Sequence, residues 1–130
     1  MSEFVVNNTL VNIDLEPGIY DFTNESGIGK SWLCKTFKDA ESYDDLPAVI
    51  AGYTYNDLLR TFDLEYYIHG RKVRYLMLDR YDMYAGKFSD YIRELSKTCA
   101  ILIDHKVPIE FQCKTCEIEL DNLSIKVTEL

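Results

Sequence analysis

The residues from Asn24 to Ser31, NESGIGKS, are the part of the sequence whose types and spacing most clearly predict chemistry. They fit the phosphate-loop pattern G-x-x-x-x-G-K-[ST] at every position but the first, where Asn24 replaces glycine. Asparagine adopts left-handed backbone conformations more readily than other residues with a side chain, so this replacement is tolerable. The alternative is a helix-capping turn that happens to end in Gly-Lys-Ser.

A phosphate loop binds its ligand in a defined way. Successive backbone N–H groups and the N-terminus of the following helix face a phosphate, and a lysine neutralises its charge. A serine hydroxyl at the last position can bind Mg²⁺. The predicted nucleotide-binding residues are Asn24, Glu25, Ser26, Gly27, Ile28, Gly29, Lys30 and Ser31.

Apolar periodicity predicts the elements that would position this loop. The predicted strands are residues 9–15, 19–23, 46–53, 73–79 and 99–104, and the predicted helices are residues 30–40, 56–68 and 87–97. The first two strands flank the turn sequence EPG and are expected to form a hairpin, as is the alternating tail around the DN dipeptide at 121–122. Continuous apolar strands separated by helices are typical of a parallel sheet that is covered on both faces.

The sequence therefore predicts a single α/β domain over residues 1–130, built as a three-layer, mainly parallel sheet. Helices are expected on both faces and antiparallel hairpins at the N- and C-terminal ends. Ligands of such sheets bind at the carboxyl ends of the strands. Polar groups follow three predicted strands, at residues 24–31, 79–82 and 104–106, and we expect them to converge on one site.

These motifs together resemble the P-loop NTPase superfamily. The run TLVNIDLEPGIYDFTNESGIGKSWL is similar to the opening of ABC- and SMC-type ATPases, and RYLMLDRYD resembles the second motif of the superfamily, an apolar strand that ends in aspartate. The resemblance implies that Ser31 and Asp79 hold Mg²⁺ beside a bound ATP or GTP. Without the resemblance, the favoured interpretation of Asp79 is a carboxylate that caps the next segment or pairs with Arg74 or Arg80. ATP is preferred because no guanine-reading Asn-Lys-x-Asp is present.

Hydrolysis needs a group that orients water, and the usual one is missing. Many hydrolysing members of the superfamily have glutamate after the aspartate, where this chain has Arg80. The candidate catalytic residues are Lys30, Asp82, Asp104 and His105, with Glu25 as a further candidate. We therefore expect nucleotide binding with weak or partner-dependent hydrolysis. Two alternatives remain. One is a non-enzymatic interaction module with a degenerate loop. The other is a small nucleotide kinase, because the DRY sequence at 79–81 resembles the Asp-Arg-Tyr motif of nucleoside-monophosphate kinases.

The composition of the chain limits the binding partners and the cellular location that we expect. The chain has 14 basic and 22 acidic residues and a net charge of −8, which disfavours nucleic acid. No long apolar run and no secretion signal are visible, so a cytoplasmic location without membrane contact is expected. The CKTC sequence at 113–116 has no second cysteine pair, which favours reduced thiols on a strand over a zinc site. Ten tyrosines leave room for a protein partner or self-association.

Overall fold

The computed structural model describes residues 2–23, 29–43, 45–61, 64–68, 70–84 and 86–130, with only the backbone described at 59–61, 66 and 67. Its strands are β1 (Ser2–Val6), β2 (Thr9–Asp14), β3 (Gly18–Phe22), β4 (Val49–Tyr53), β5 (Val73–Leu78), β6 (Ala100–Ile103), β7 (Lys114–Asp121) and β8 (Ser124–Glu129). Its helices are α1 (Lys30–Ala40), α2 (Tyr55–Thr61), α3 (Leu64–Ile68) and α4 (Ser89–Leu95), with a 3₁₀ turn at Tyr81–Tyr84.

The described strands form one mixed sheet with the order β1-β2-β8-β7-β3-β6-β5-β4. Strand β3 lies between β7 and β6 and is parallel to both, and β4, β5 and β6 are parallel neighbours. The β1–β2 and β7–β8 pairs are antiparallel, and a parallel β2–β8 pair joins them. The sheet therefore has a parallel half and an antiparallel half.

The prediction of a three-layer, mainly parallel α/β fold is wrong, because only the parallel half is covered on both faces. On β5, Tyr75 and Met77 belong to the core around α1, whereas Leu76 and Leu78 belong to a second core with α2, α3 and α4. The strands β1, β2 and β8 instead alternate buried and less buried residues. Such alternation provides one apolar face and leaves the other to solvent.

The sheet also curls around α1 instead of lying flat. Ser2 Oγ on β1 lies 2.9 Å from Tyr75 Oη on β5, although five strands separate β1 from β5 in the sheet order. Next to this contact, Arg74 donates from Nη2 to the carbonyl oxygen of Leu15 at 3.0 Å. The helices apart from α1 are seven residues or shorter. A curled mixed sheet with short helices replaces the expected layers.

An antiparallel hairpin opens the chain as predicted, but the predicted pairing of residues 9–15 with 19–23 is wrong; the predicted C-terminal hairpin is confirmed. Strand β2 pairs with β1 across a two-residue turn, in which Asn7 and Asn8 have φ values of 50° and 63°. Both central residues of the favoured hairpin turn need positive φ, so the NN dipeptide was the missed signal. Strands β7 and β8 pair as predicted, with Asn122 at φ 42° in their turn.

The described residues contain no helix long and apolar enough to span a membrane.

Candidate functional site

The described part of the predicted phosphate loop is its end, Gly29, Lys30 and Ser31. Gly29 precedes α1 with φ 79°, and its carbonyl oxygen accepts a hydrogen bond from Leu33 N at 2.8 Å. This positive φ favours glycine, whereas the nearest atoms to an added Cβ belong to the partly exposed Leu120 side chain, which could move aside. The other predicted loop residues lie outside the described residues: Asn24, Glu25, Ser26, Gly27 and Ile28.

Lys30 begins α1 and reaches the end of β6. Its Nζ lies 3.5 Å from Asp104 Oδ1, and both side chains are largely shielded, at 12% and 14% exposure. The ammonium also lies 5.6 Å from the centre of the Phe22 ring, at the end of β3. Ser31, the next residue on the helix, is exposed to solvent. The lysine therefore faces the carboxyl ends of two adjacent strands, β3 and β6.

Backbone hydrogen bonds fix Asp79 and Asp104 side by side after β5 and β6. Asp79 N donates to the carbonyl oxygen of Tyr53 at 3.0 Å, and Asp104 N donates to that of Leu78 at 2.9 Å. The carbonyl oxygen of Asp104 in turn accepts from Tyr81 N at 3.0 Å. These bonds continue the parallel pairing of β4, β5 and β6 by one residue. The strand ends therefore bring together two carboxyl groups that the sequence analysis expected at one edge of the sheet.

The surroundings of Asp79 weaken it as an acid. Burial, a hydrogen bond with Asp104 and the negative charge of Asp104 together raise the pKa of Asp79 to about 6. The nearby Arg80 guanidinium opposes this rise, but it does not cancel it. The site thus combines one ammonium group with two adjacent carboxyl groups, and Asp79 is a weaker acid than an ordinary aspartate.

Asp82 is held by Arg80 and does not join this group. The guanidinium donates from Nε to Asp82 Oδ1 and from Nη2 to Oδ2, both at 3.1 Å, and the Asp82 side chain is only 3% exposed. Burial alone would raise the pKa of Asp82, but the hydrogen bonds and charge of Arg80 hold it below its usual value. Arg80 itself has φ 55°, which is unusual for a residue with a side chain. The segment after Asp79 is therefore fixed by a two-bond ion pair.

His105 faces a different neighbour from Asp104. Its Nε2 lies 3.5 Å from Asp21 Oδ2 on β3, and its Nδ1 lies 3.0 Å from the carbonyl oxygen of Val107. Asp21 and His105 line a cavity of about 360 Å³ with Phe111 and Cys113. Asp21 was missed by the sequence analysis, although it is the charged residue in an otherwise apolar strand. The structure thus joins His105 to Asp21 and Asp104 to Lys30.

Glu110 is a second residue that the sequence analysis missed. Its Oε2 accepts hydrogen bonds from Tyr81 Oη and Gly86 N, each at 2.7 Å, and from Ser89 Oγ. Burial would raise the pKa of Glu110, but the bonds from Ser89 and Tyr81 outweigh burial and lower it. Glu110 therefore anchors the segment that follows Asp79. No periodic pattern or motif in the sequence identifies Glu110. Its described partners lie outside the strands, where apolar periodicity predicts no contacts.

The donor set tests whether Mg²⁺ fits this site. Asp79, Asp104 and the exposed hydroxyl of Ser31 are oxygen donors of the type that Mg²⁺ prefers. Among the described residues no group of three or more acidic, histidine or cysteine side chains could hold a metal ion. Mg²⁺ commonly takes one or two carboxylates and completes its shell with water and substrate phosphates. The residues therefore fit Mg²⁺ bound together with a phosphate ligand better than Mg²⁺ alone.

No protein-family model matches the chain, and comparisons with curated proteins and with solved structures give no match. Function is therefore argued from the site, and the resemblance to P-loop NTPases stays a prediction.

Proposed function

We propose that this chain is a P-loop NTPase-like protein that binds a nucleoside triphosphate with Mg²⁺, ATP in preference to GTP. The observation that carries the proposal is the convergence of Lys30, Asp104 and Asp79 beside the glycine turn that opens α1. A shielded cation next to two mutually repelling carboxyls suits a ligand that brings both anionic phosphate and a divalent cation. The cytoplasm is the proposed location, with a protein partner or a second copy of the chain as further ligands.

The described residues have separate roles in this proposal. Lys30 neutralises the terminal phosphates after leaving Asp104, and the N-terminus of α1 faces the same anion. Ser31 and Asp79 hold Mg²⁺, with Asp104 beside them. The metal supplies charge neutralisation at the phosphate oxygens.

Hydrolysis is proposed to be slow or partner-dependent. Arg80 stands where a general base is expected, and its guanidinium is bound to Asp82 through two hydrogen bonds. Asp82 therefore cannot act as a general base or orient water unless this ion pair opens. The same observation favours a second candidate function, an interaction module that binds nucleotide without turning it over. A small nucleotide kinase is the remaining alternative, and it predicts phosphate transfer to a nucleoside monophosphate.

Calorimetry with Mg²⁺–ATP on the wild type and on Lys30→Ala tests the proposal. We expect saturable binding by the wild type and at least a tenfold loss in the variant, because charge-assisted bonds to phosphate contribute about 1.5–3 kcal/mol. Lys35→Ala is the matched control, because Lys35 is an exposed lysine on the same helix, and it should bind like the wild type. Thermal melting checks that each variant is folded.

Equal affinity of Lys30→Ala and the wild type would contradict the proposal. A phosphate-release assay, run with and without nucleoside monophosphates, then separates the three functions. Slow release indicates an NTPase, transfer to the acceptor indicates a kinase, and binding without either indicates an interaction module.

A further inference from the structure

A second cavity, of about 540 Å³, lies at the amino end of β5. Its lining comes from the start of β5 and from α4 and the turn after it: Arg71, Lys72, Val73, Arg74, Leu95 and Thr98. Arg74 precedes Asp79 by five residues on an extended strand, which places this cavity roughly 16 Å from the Lys30 site. Among the described residues, the lining has three cationic side chains and no carboxylate, in a chain with 22 acidic and 14 basic residues. This described lining is therefore positively charged although the protein is negatively charged.

Arg74 is one of the cations of this lining for which the described residues provide no acidic partner. Its Nη2 donates to the neutral carbonyl oxygen of Leu15 at 3.0 Å, and its guanidinium lies 4.7 Å from the centre of the Tyr75 ring. Its Nη1 is buried and has no acceptor among the described residues. A buried donor without a partner is costly, and more so when it carries charge.

Arg71 shows what a compensated guanidinium in the same lining looks like. Its Nη1 lies 3.6 Å from Glu41 Oε2, and its Nη2 donates to Tyr53 Oη at 2.8 Å. Its neighbour Lys72 is exposed at the mouth of the cavity. The positive charges of this lining that have no acidic partner among the described residues are therefore those of Lys72 and Arg74.

We propose that this cavity binds a small organic anion, in which an oxyanion is carried on an apolar group. Lys72 and Arg74 bind the oxyanion, and the side chains of Val73 and Leu95 contact the apolar group. Because Nη1 is closed off from solvent, Arg74 must rotate to meet the ligand, and in doing so it gives up contacts to neutral groups only. A carboxylate and a phosphate offer the same paired oxygens to a guanidinium.

Calorimetric titration of the Lys30→Ala protein with benzoate and with phenyl phosphate tests this site without interference from the phosphate loop. We expect one saturable site for at least one of the two probes, and their relative affinities identify the oxyanion. Arg74→Met, added to the same background, should weaken binding about tenfold or more. Lys106→Met is the matched control, because Lys106 is an exposed cation that lines a different cavity.

Absence of saturable binding by both probes would overturn the proposal, as would binding that Arg74→Met leaves unchanged. Acetate that binds as tightly as benzoate would also overturn it, since the apolar contacts would then contribute nothing. If Arg74→Met does not fold, Arg74→Lys keeps the charge, loses the paired donors and should still weaken binding. Mg²⁺–ATP affinity of Arg74→Met in the wild-type background stays unchanged, so failure here is distinguishable from failure at Lys30.

Discussion

Two groups of carboxylates lie near the same edge of the sheet and have opposite environments. Asp79 and Asp104 lie against each other, and the pKa of Asp79 is raised to about 6. Asp82 lies three residues after Asp79, and Glu110 lies six residues after Asp104. Both have lowered pKa values, because Arg80 binds Asp82 and because hydroxyl and amide groups donate to Oε2 of Glu110. We call the first pair the site acids and the second pair the anchor acids.

The difference indicates which acids serve the fold and which serve a ligand. The anchor acids have partners within the chain, so their charge stabilises the folded protein. The site acids repel each other; Lys30 approaches Asp104 at 3.5 Å, and the charge of Arg80 only partly offsets the raised pKa of Asp79. Groups that are electrostatically unfavourable in the free protein are typical of binding sites, where the ligand supplies the compensation.

The largest effect expected from this comparison is at an anchor acid. Glu110→Gln replaces three charge-assisted hydrogen bonds with neutral ones, so the free energy of unfolding should fall by about 2 kcal/mol at pH 7. The pKa of Glu110 is lowered, so the wild-type advantage is present above the ordinary value of 4.5 and is lost as the pH falls below it. Urea denaturation at pH 7 and at low pH measures both effects.

Glu94→Gln is the control for this change. Glu94 pairs with Lys97 at 2.8 Å on the surface, with side-chain exposures of 73% and 69%, so its loss should cost less than about 0.5 kcal/mol. If Glu110→Gln is as mild as Glu94→Gln, Glu110 is no anchor.

The anchor acids also show where sequence-based prediction stops. The strands β4, β5 and β6 and the C-terminal hairpin follow from local apolar patterns, and the carboxyl-end rule brings Asp79, Asp104 and Lys30 together correctly. Glu110 and the Arg80–Asp82 pair lie in segments without a period, so their partners depend on tertiary structure. These residues can be read from the sequence, but the contacts that they make cannot.

The same limit explains the wrong layering. Alternation along β2 and β8 predicts one buried face for each strand, but the β2–β8 pairing joins segments more than 100 residues apart, as in Leu10 with Ser124. No local signal specifies a contact at that separation. No strand was predicted at Ser2–Val6, where β1 lies. Without β1, the only neighbour in sequence that β2 could pair with as a hairpin was β3. A missing edge strand thus changed the predicted arrangement of half of the sheet.

A smaller effect, of opposite sign, is expected at a site acid. A carboxyl whose pKa is about 6 instead of 3.8 would cost about 3 kcal/mol to ionise if fully shielded, and solvent at this half-buried position reduces that to about 1 kcal/mol. The folded protein holds the Asp79 proton more tightly than the unfolded chain, so the cost is absent below pH 4 and complete above pH 6. Asp79→Asn should therefore stabilise the free protein by about 1 kcal/mol at pH 8 and by nothing at pH 4.

Asp82→Asn is the matched control, and it should destabilise the protein at pH 8 because it breaks the ion pair with Arg80. Asp79→Asn should at the same time lose the Mg²⁺-dependent part of ATP binding. Thermal melting at the two pH values, with calorimetry on the same samples, measures both. If both variants change the stability at pH 8 in the same direction, the distinction between site acids and anchor acids is wrong.

The smallest effect concerns the restraint on Lys30. Its ion pair with Asp104 must open before the ammonium reaches a phosphate, and a shielded pair at 3.5 Å costs about 1 kcal/mol to open, which is roughly fivefold in Kd. Asp104→Asn should therefore tighten ATP binding about fivefold without Mg²⁺, as measured by calorimetry in the presence of a chelator. With Mg²⁺ the gain should shrink, because the variant loses a carboxylate beside the metal. Asp90→Asn, which removes an exposed carboxylate near Arg93, should leave both affinities unchanged. Weaker Mg²⁺-free binding by Asp104→Asn would mean that Asp104 positions Lys30 for the phosphate, and the site acids would then be partly anchors themselves.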